Sequence, residues 1–236
     1  MKNGAIKLKF DHFPLEKDSK SEVFIIESIT DSDPKKETEM DGSVLAQQLK
    51  LMGASPLYVP VRSLNDFKAA LVMFCMSSYR FLHISCHGDK NNEKIKLGEV
   101  WYHYEQIADA LPEALKSRRV SFSACELGNE QFVKVLNSKN KWIHSIAAFS
   151  DQVDSKIASA YWIAYYTLCF DNVKIKEGGA SLSSKNLMKI IKQLDAIFGC
   201  GSFFAYSNTV GQEIVTKHLV NRKWTKAHKM PYSEFC

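Results

Sequence analysis

The alternation of short apolar runs with amphipathic stretches predicts an α/β protein. The expected architecture is a three-layer α/β/α sandwich around a mostly parallel central sheet of about six strands. Three observations carry this. Runs such as 80–86 and 119–124 are near-continuously apolar, as strands buried on both faces must be. Segments of helical periodicity separate the strand-like runs. The runs at 83–88 and 121–128 each end on a reactive side chain closely followed by glycine, and open parallel sheets gather their chemistry beyond the carboxyl ends of their strands.

Along the chain, residues 1–22 are polar and irregular and form an N-terminal extension, with one short strand at 6–10. A buried strand follows at 23–26, then a loop at 30–36 marked by Asp31, Asp33 and Pro34. Met40, Val44, Leu45, Leu49 and Met52 recur at helical spacing. They predict a helix over 38–52, with Thr38 and Asp41 as a capping pair and Gly53 at its end. A second strand is expected at 56–61. Ser63 and Asp66 then read as a capping box for a helix carrying Phe67, Ala70, Leu71 and Phe74.

The third strand is 80–86. Residues 94–97 pair locally after a turn at Asn91-Asn92, and a helix over 104–116 is interrupted near Pro112. The fourth strand is 119–124, a short helix follows Gly128, and the fifth strand is 143–149. A long helix over 153–170 carries Val153, Ile157, Tyr161, Ala164, Tyr165 and Leu168 as its apolar stripe. A polar loop at 171–181 with Gly178-Gly179, a helix at 182–198 and a last strand at 202–206 complete a domain of 23–210. Residues 211–236 read as a basic tail, with Lys217, Arg222, Lys223, Lys226 and Lys229, packing on the domain or extending from it.

The composition is that of an ordinary globular chain of 236 residues, 45% hydrophobic and 24% charged. The net charge of +5 is a mild excess and makes nucleic acid an unexpected partner. The six cysteines, Cys75, Cys86, Cys125, Cys169, Cys200 and Cys236, form no CxxC pairs. A disulfide framework is not expected, and a reducing compartment is. Nothing resembles a signal peptide or a membrane span, so the expectation is a cytoplasmic protein with no membrane partner.

The chemistry rests on His87 and Cys125. If the third and fourth strands are neighbours, their ends bring an imidazole to a thiol, the minimum apparatus of a cysteine nucleophile. A strand-to-helix junction is a setting that favours thiolate. Gly88 lets backbone approach a substrate closely, and its amide with that of Cys125 would form an oxyanion hole. Against this stands the ordinary reading of each residue alone: a cysteine at a strand end is packing, and a single histidine is a satisfied polar group.

His87-Gly88 after an apolar strand, then Ala124-Cys125-Glu126 and Gly128 after the next major strand, resembles the caspase-like clan of cysteine peptidases. The bacterial CHAT and caspase-like branch is nearest in pattern. The likeness spans roughly 23–207, although the 38 positions from His87 to Cys125 fall short of the ~50 usual in caspases. It implies a thiol endopeptidase without cofactor, in which Cys125 attacks the peptide carbonyl and His87 protonates the leaving amine. It also implies a protein or peptide substrate, control by a regulatory partner, and a setting such as a bacterial defence or cell-death system. Self-processing would fall in the 30–36 or 171–181 loops.

Ser123 departs from the pattern, because caspases carry glutamine two residues before the nucleophile. Acidic selectivity of the caspase kind is therefore not expected. Glu27, Asp151 and Asp154 are candidate substrate-binding residues, although Asp151 and Asp154 equally suit helix capping. Ser123, Phe149 and Ser150 would line the groove, with the peptide extended along that strand edge. Two other readings stay open: an inactive module of the same fold kept for binding, and a small-molecule cysteine hydrolase of different topology. Zinc on His83, Cys86 and His87 is disfavoured because alternation along a strand sends His83 and Cys86 to opposite faces. His83 reads instead as a buried, hydrogen-bonded histidine.

Overall fold

The apolar runs become strands in a computed structural model that describes residues 22–31, 39–111, 115, 117–139, 143–174, 182–208, 213–220 and 223–235. The expected strand at 6–10, most of the 30–36 loop, Thr38, Pro112 and the Gly178-Gly179 pair lie outside these residues.

The first half alternates regularly. It comprises β1 (Val23–Ser28), α1 (Asp41–Leu51), β2 (Leu57–Val61), α2 (Leu64–Cys75) and β3 (Phe81–Ser85). A small excursion follows, with β4 (His87–Asp89), β5 (Lys94–Leu97), β6 (Val100–His103) and α3 (Tyr104–Ala110). The second half carries β7 (Arg119–Ser123), α4 (Glu130–Lys139), β8 (Ser145–Phe149), α5 (Ser155–Lys174), α6 (Ser184–Phe198) and β9 (Ser202–Asn208). The chain then adds β10 (Glu213–Val220), β11 (Lys223–Trp224) and β12 (His228–Pro231), followed by a 3₁₀ turn at Tyr232–Phe235.

The main sheet runs β11-β10-β9-β8-β7-β3-β1-β2, with β12 also paired to β10. Its five strands β8, β7, β3, β1 and β2 are parallel, whereas β9 to β12 join antiparallel. The expected sheet of about six mostly parallel strands is thus corrected to nine strands of mixed direction. The cause is the C-terminal segment, whose lysines conceal a strand pattern. Ile214, Val215, Thr216, Leu219 and Met230 are buried, while Lys223, Lys226 and Lys229 are exposed.

Side chains alternate across the sheet and bury both faces. Phe24, Ile26, Leu82, Ile84, Val120 and Phe122 pack with α2, α3 and α4. Val23, Ile25, Phe81, Ala147 and Phe149 pack with α1, α5 and α6. On the second face Tyr161, Trp162, Tyr165 and Tyr166 of α5 form an edge-to-face aromatic cluster with Phe149 and His83. Ile157, expected on the buried stripe of this helix, faces out.

Helix starts are set by specific acceptors. Ser63 Oγ accepts from Asp66 N at 3.1 Å, Asn129 Oδ1 from Phe132 N at 2.8 Å, and Ser183 Oγ from Asn186 N at 3.3 Å. The α3 helix ends at Ala110, short of the expected 116.

The path β1, β2, then back across to β3 makes the sheet order reverse between β1 and β3. Open α/β sheets form their crevice at such a reversal, beyond the strand ends.

Candidate active site

The ends of β3 and β7 are neighbours in register. Ser85 pairs with Ser123, and the Cys86 amide donates to the Ser123 carbonyl at 3.2 Å. Two residues beyond the end of each strand stand His87 and Cys125, which line the same cleft. Gly88 is pressed against the second strand end. A side chain there would run into the Cys125 carbonyl oxygen and come within 2.9 Å of Leu127 Cγ. Only glycine lets β4 lie this close to the segment that follows β7.

The turn after Cys125 is sharp. Glu126 adopts a left-handed φ of 60°, which an L-residue adopts at a cost of roughly 1–2 kcal/mol. Its amide is held by the Asp151 carbonyl at 3.2 Å, and the Gly128 amide by the Phe149 carbonyl at 2.7 Å. These bonds fasten the turn to the end of β8 and keep Cys125 at the rim. Among the described residues the Cys125 amide has no hydrogen-bond acceptor. The thiol meets the backbone of Val153: the Val153 amide donates to Sγ at 3.4 Å, and Sγ lies 3.7 Å from the Val153 carbonyl oxygen.

Two clefts meet at this pair. The narrower, of about 140 Å³, is lined by Glu27, Ser28, Met40, Asp41, Ser85 and Ser123 among others, with Phe149, Val153 and Ala158. The broader, of about 520 Å³, is bounded by Gly88, Lys96, Trp101, Glu126, Gln152 and Asp154. Ser150 and Asp151 lie in neither. They line a third depression with Lys90, Gly128 and His218, because the chain turns after β8 to pair Ser150 N with Gly201 O at 3.2 Å.

The candidate carboxylates have separate occupations. Glu27, 2% exposed, reaches from β1 to the start of α1. It accepts from Gly42 N at 2.7 Å, Ser43 N at 3.1 Å and the Tyr58 hydroxyl at 2.9 Å. The α1 N-cap residue, Met40, offers no side-chain cap of its own, so Glu27 serves that helix from across the sheet. Burial raises the Glu27 carboxyl above its ordinary value, the three hydrogen bonds oppose this, and Asp41 adds to the rise. Asp154 Oδ1 accepts from Lys156 N at 2.8 Å and caps α5 while bordering the broader cleft.

His83 is buried between Trp162 and Tyr166, with Nδ1 3.2 Å from the Tyr166 hydroxyl. Burial lowers it to about 3, so it is neutral. Cys86 packs against the opposite core, its thiol pushed up to about 12, first by burial and then by the neighbouring Cys125. Among the described residues no group of three or more His, Cys, Asp or Glu side chains could hold a metal ion. Cys75, Cys86, Cys125, Cys169 and Cys200 are free thiols.

Met40, Asp41, Val153 and Trp101 are cleft residues that sequence reasoning missed. Val153 was expected in the stripe of α5 but stands in the turn before it. For Trp101 a signal existed: a large aromatic in a short polar hairpin. Met40 and Asp41 reach the cleft only through the packing of α1 on β1. Among the described residues no helix is long and apolar enough to cross a membrane.

No family model matches the chain, and no curated protein matches it. Similar solved structures include a secreted C11 cysteine protease from Bacteroides thetaiotaomicron in complex with an irreversible peptide inhibitor. It has a TM-score of 0.47 and 9% identity over 91% of this chain and 67% of that one. They also include the complex of Porphyromonas gingivalis RgpB pro- and mature domains, with a TM-score of 0.46 and 9% identity over 92% of this chain. The chain spans 61% of the length of the latter.

Proposed function

We propose that the chain is a cysteine endopeptidase in which Cys125 and His87 act as a dyad. The observation that carries this reading is the shared cleft at the ends of β3 and β7, closed by the glycine-only approach of residue 88 to Cys125. The Cys125 thiolate attacks the peptide carbonyl carbon. The oxygen takes the negative charge and is met by the amides of Gly88 and Cys125. The C–N bond then breaks as His87 gives its proton to the leaving nitrogen, which departs as an amine. Water attacks the resulting thioester, His87 takes its proton, and the S–C bond breaks to release the acid and restore Cys125.

The narrow cleft receives the side chain of the residue that donates the carbonyl. Its rim carries Ser123, and its walls mix hydroxyls with Met40, Phe149 and Ala158. The contact between Sγ and the Val153 backbone supports a protein held in check. A substrate or regulatory partner engaging the 150–154 segment would free the thiol. The same contact favours a second reading, a binding module of this fold that performs no hydrolysis.

A thiol-reactive peptide probe and peptide-library profiling of the full chain separate the two. The enzyme reading expects labelling of Cys125, lost on His87→Ala, and cleavage abolished by Cys125→Ala with the unfolding midpoint nearly unchanged. A Cys125→Ala protein that still cuts the library removes Cys125 from the mechanism.

A further inference from the structure

The small sheet β4-β5-β6 has two unlike faces. Residues directly opposite one another on antiparallel strands share a face. Gly88 pairs with Ile95 and Ile95 with Tyr102, and this row turns inward: Ile95 is buried in the core and Tyr102 packs against it. The other row is His87, Lys96 and Trp101. All three line the broader cleft. Trp101 is 42% exposed at the end of that row. Lys96, between His87 and Trp101, is tied to Glu99 at 3.3 Å.

A tryptophan in the wall of a cleft offers a broad, rigid face for a partner side chain. Its place in the row says which part of a peptide it meets. The general acid stands on the side of the departing amine, so what shares the row with His87 flanks the residue that follows the scissile bond.

We infer that Trp101 is a specificity-determining residue of this site, receiving a large apolar or aromatic side chain from the substrate residue immediately after the cleaved bond. The inference rests on the peptidase reading above and deepens it.

The test varies that one substrate position in a peptide library cleaved by the full chain. The wild type is expected to favour phenylalanine over alanine there by at least tenfold in kcat/KM, or about 1.4 kcal/mol. Trp101→Ala should bring that ratio below about threefold, and Trp101→Phe should keep most of it. A second arm does not need catalysis. The Cys125→Ala chain is titrated calorimetrically with peptides whose free N-terminal residue is phenylalanine or alanine, mimics of the departing amine. Binding selective for phenylalanine, and lost on adding Trp101→Ala, supports the inference. A wild-type ratio near one, a ratio unchanged by Trp101→Ala, or equal binding of the two peptides overturns it. Selective binding without cleavage of any library member would instead sink the peptidase reading and leave Trp101 as a recognition surface.

Discussion

Replacing Gly88 with alanine tests the closest contact in the site. The new methyl would stand 2.9 Å from Leu127 Cγ, where ordinary contact begins at 3.4 Å. The strand must therefore retreat by about half an ångström to clear the leucine, and further to clear the Cys125 carbonyl. The leucine can rotate, but the carbonyl is backbone at the end of β7 and cannot. Crowding of this kind costs about 1–3 kcal/mol. His87 immediately precedes the displaced residue and moves with it. A displacement of ~1 Å at reacting groups costs about 10²-fold, so kcat/KM on the best library peptide should fall by about 10–100-fold. Probe labelling of Cys125 should slow in parallel. Gly53→Ala is the control, at a φ of 80° with nothing within 4 Å: it costs about 1–2 kcal/mol of strain far from the clefts and should leave turnover intact. A Gly88→Ala protein that unfolds like wild type and cleaves at the wild-type rate would refute the idea that this approach aligns the pair.

Two further expectations concern stability. His83 is held at about 3 by burial against an ordinary 6.5, so the unfolded chain binds the extra proton and stability falls as pH drops through that window. Between about pH 7.5 and about pH 5 the loss from His83 should be about 2 kcal/mol by urea unfolding. His144, lowered to about 4 by burial and by Arg119, acts in the same direction. The raised Glu27 carboxyl acts in the opposite direction, so the His83 share is read as the difference from a His83→Gln chain; an identical pH dependence of the two would mean that His83 takes up its proton inside the fold. Glu27→Ala strands the amides of Gly42 and Ser43 and the Tyr58 hydroxyl, and should cost about 2–4 kcal/mol. An unchanged urea midpoint would show that α1 does not depend on this carboxylate.

What could be read from the chain and what could not divide along physical lines. Buried parallel strands declare themselves because both faces must be apolar, which is why 80–86 and 119–124 were visible as strands. Local caps were visible for the same sort of reason: Ser63 meets an amide three residues away. The start of α1 was not, because its acceptor, Glu27, lies on another strand and only the folded sheet joins them. The strands after residue 212 were hidden by their lysines: Lys217, Lys223, Lys226 and Lys229 dominate the local composition, although Ile214, Val215 and Thr216 are buried. Bringing His87 and Cys125 into one cleft needed β3 and β7 to be neighbours, which the strand pattern made plausible. That Ser150 and Asp151 turn away toward Gly201, while Trp101 turns in, depends on contacts distant in sequence that no local pattern records.

The adjacency of Ser85 and Ser123 spans 38 positions of chain, with β4, β5, β6 and α3 threaded between them. Contacts of that separation form late, because the loop must be closed before they return any stabilisation. A growing or partly folded chain therefore carries an imidazole and a thiol that have not yet met. Labelling of Cys125 that depends on His87 is expected only once that adjacency has formed, and refolding followed by probe labelling should show it appearing with the slowest phase rather than with collapse.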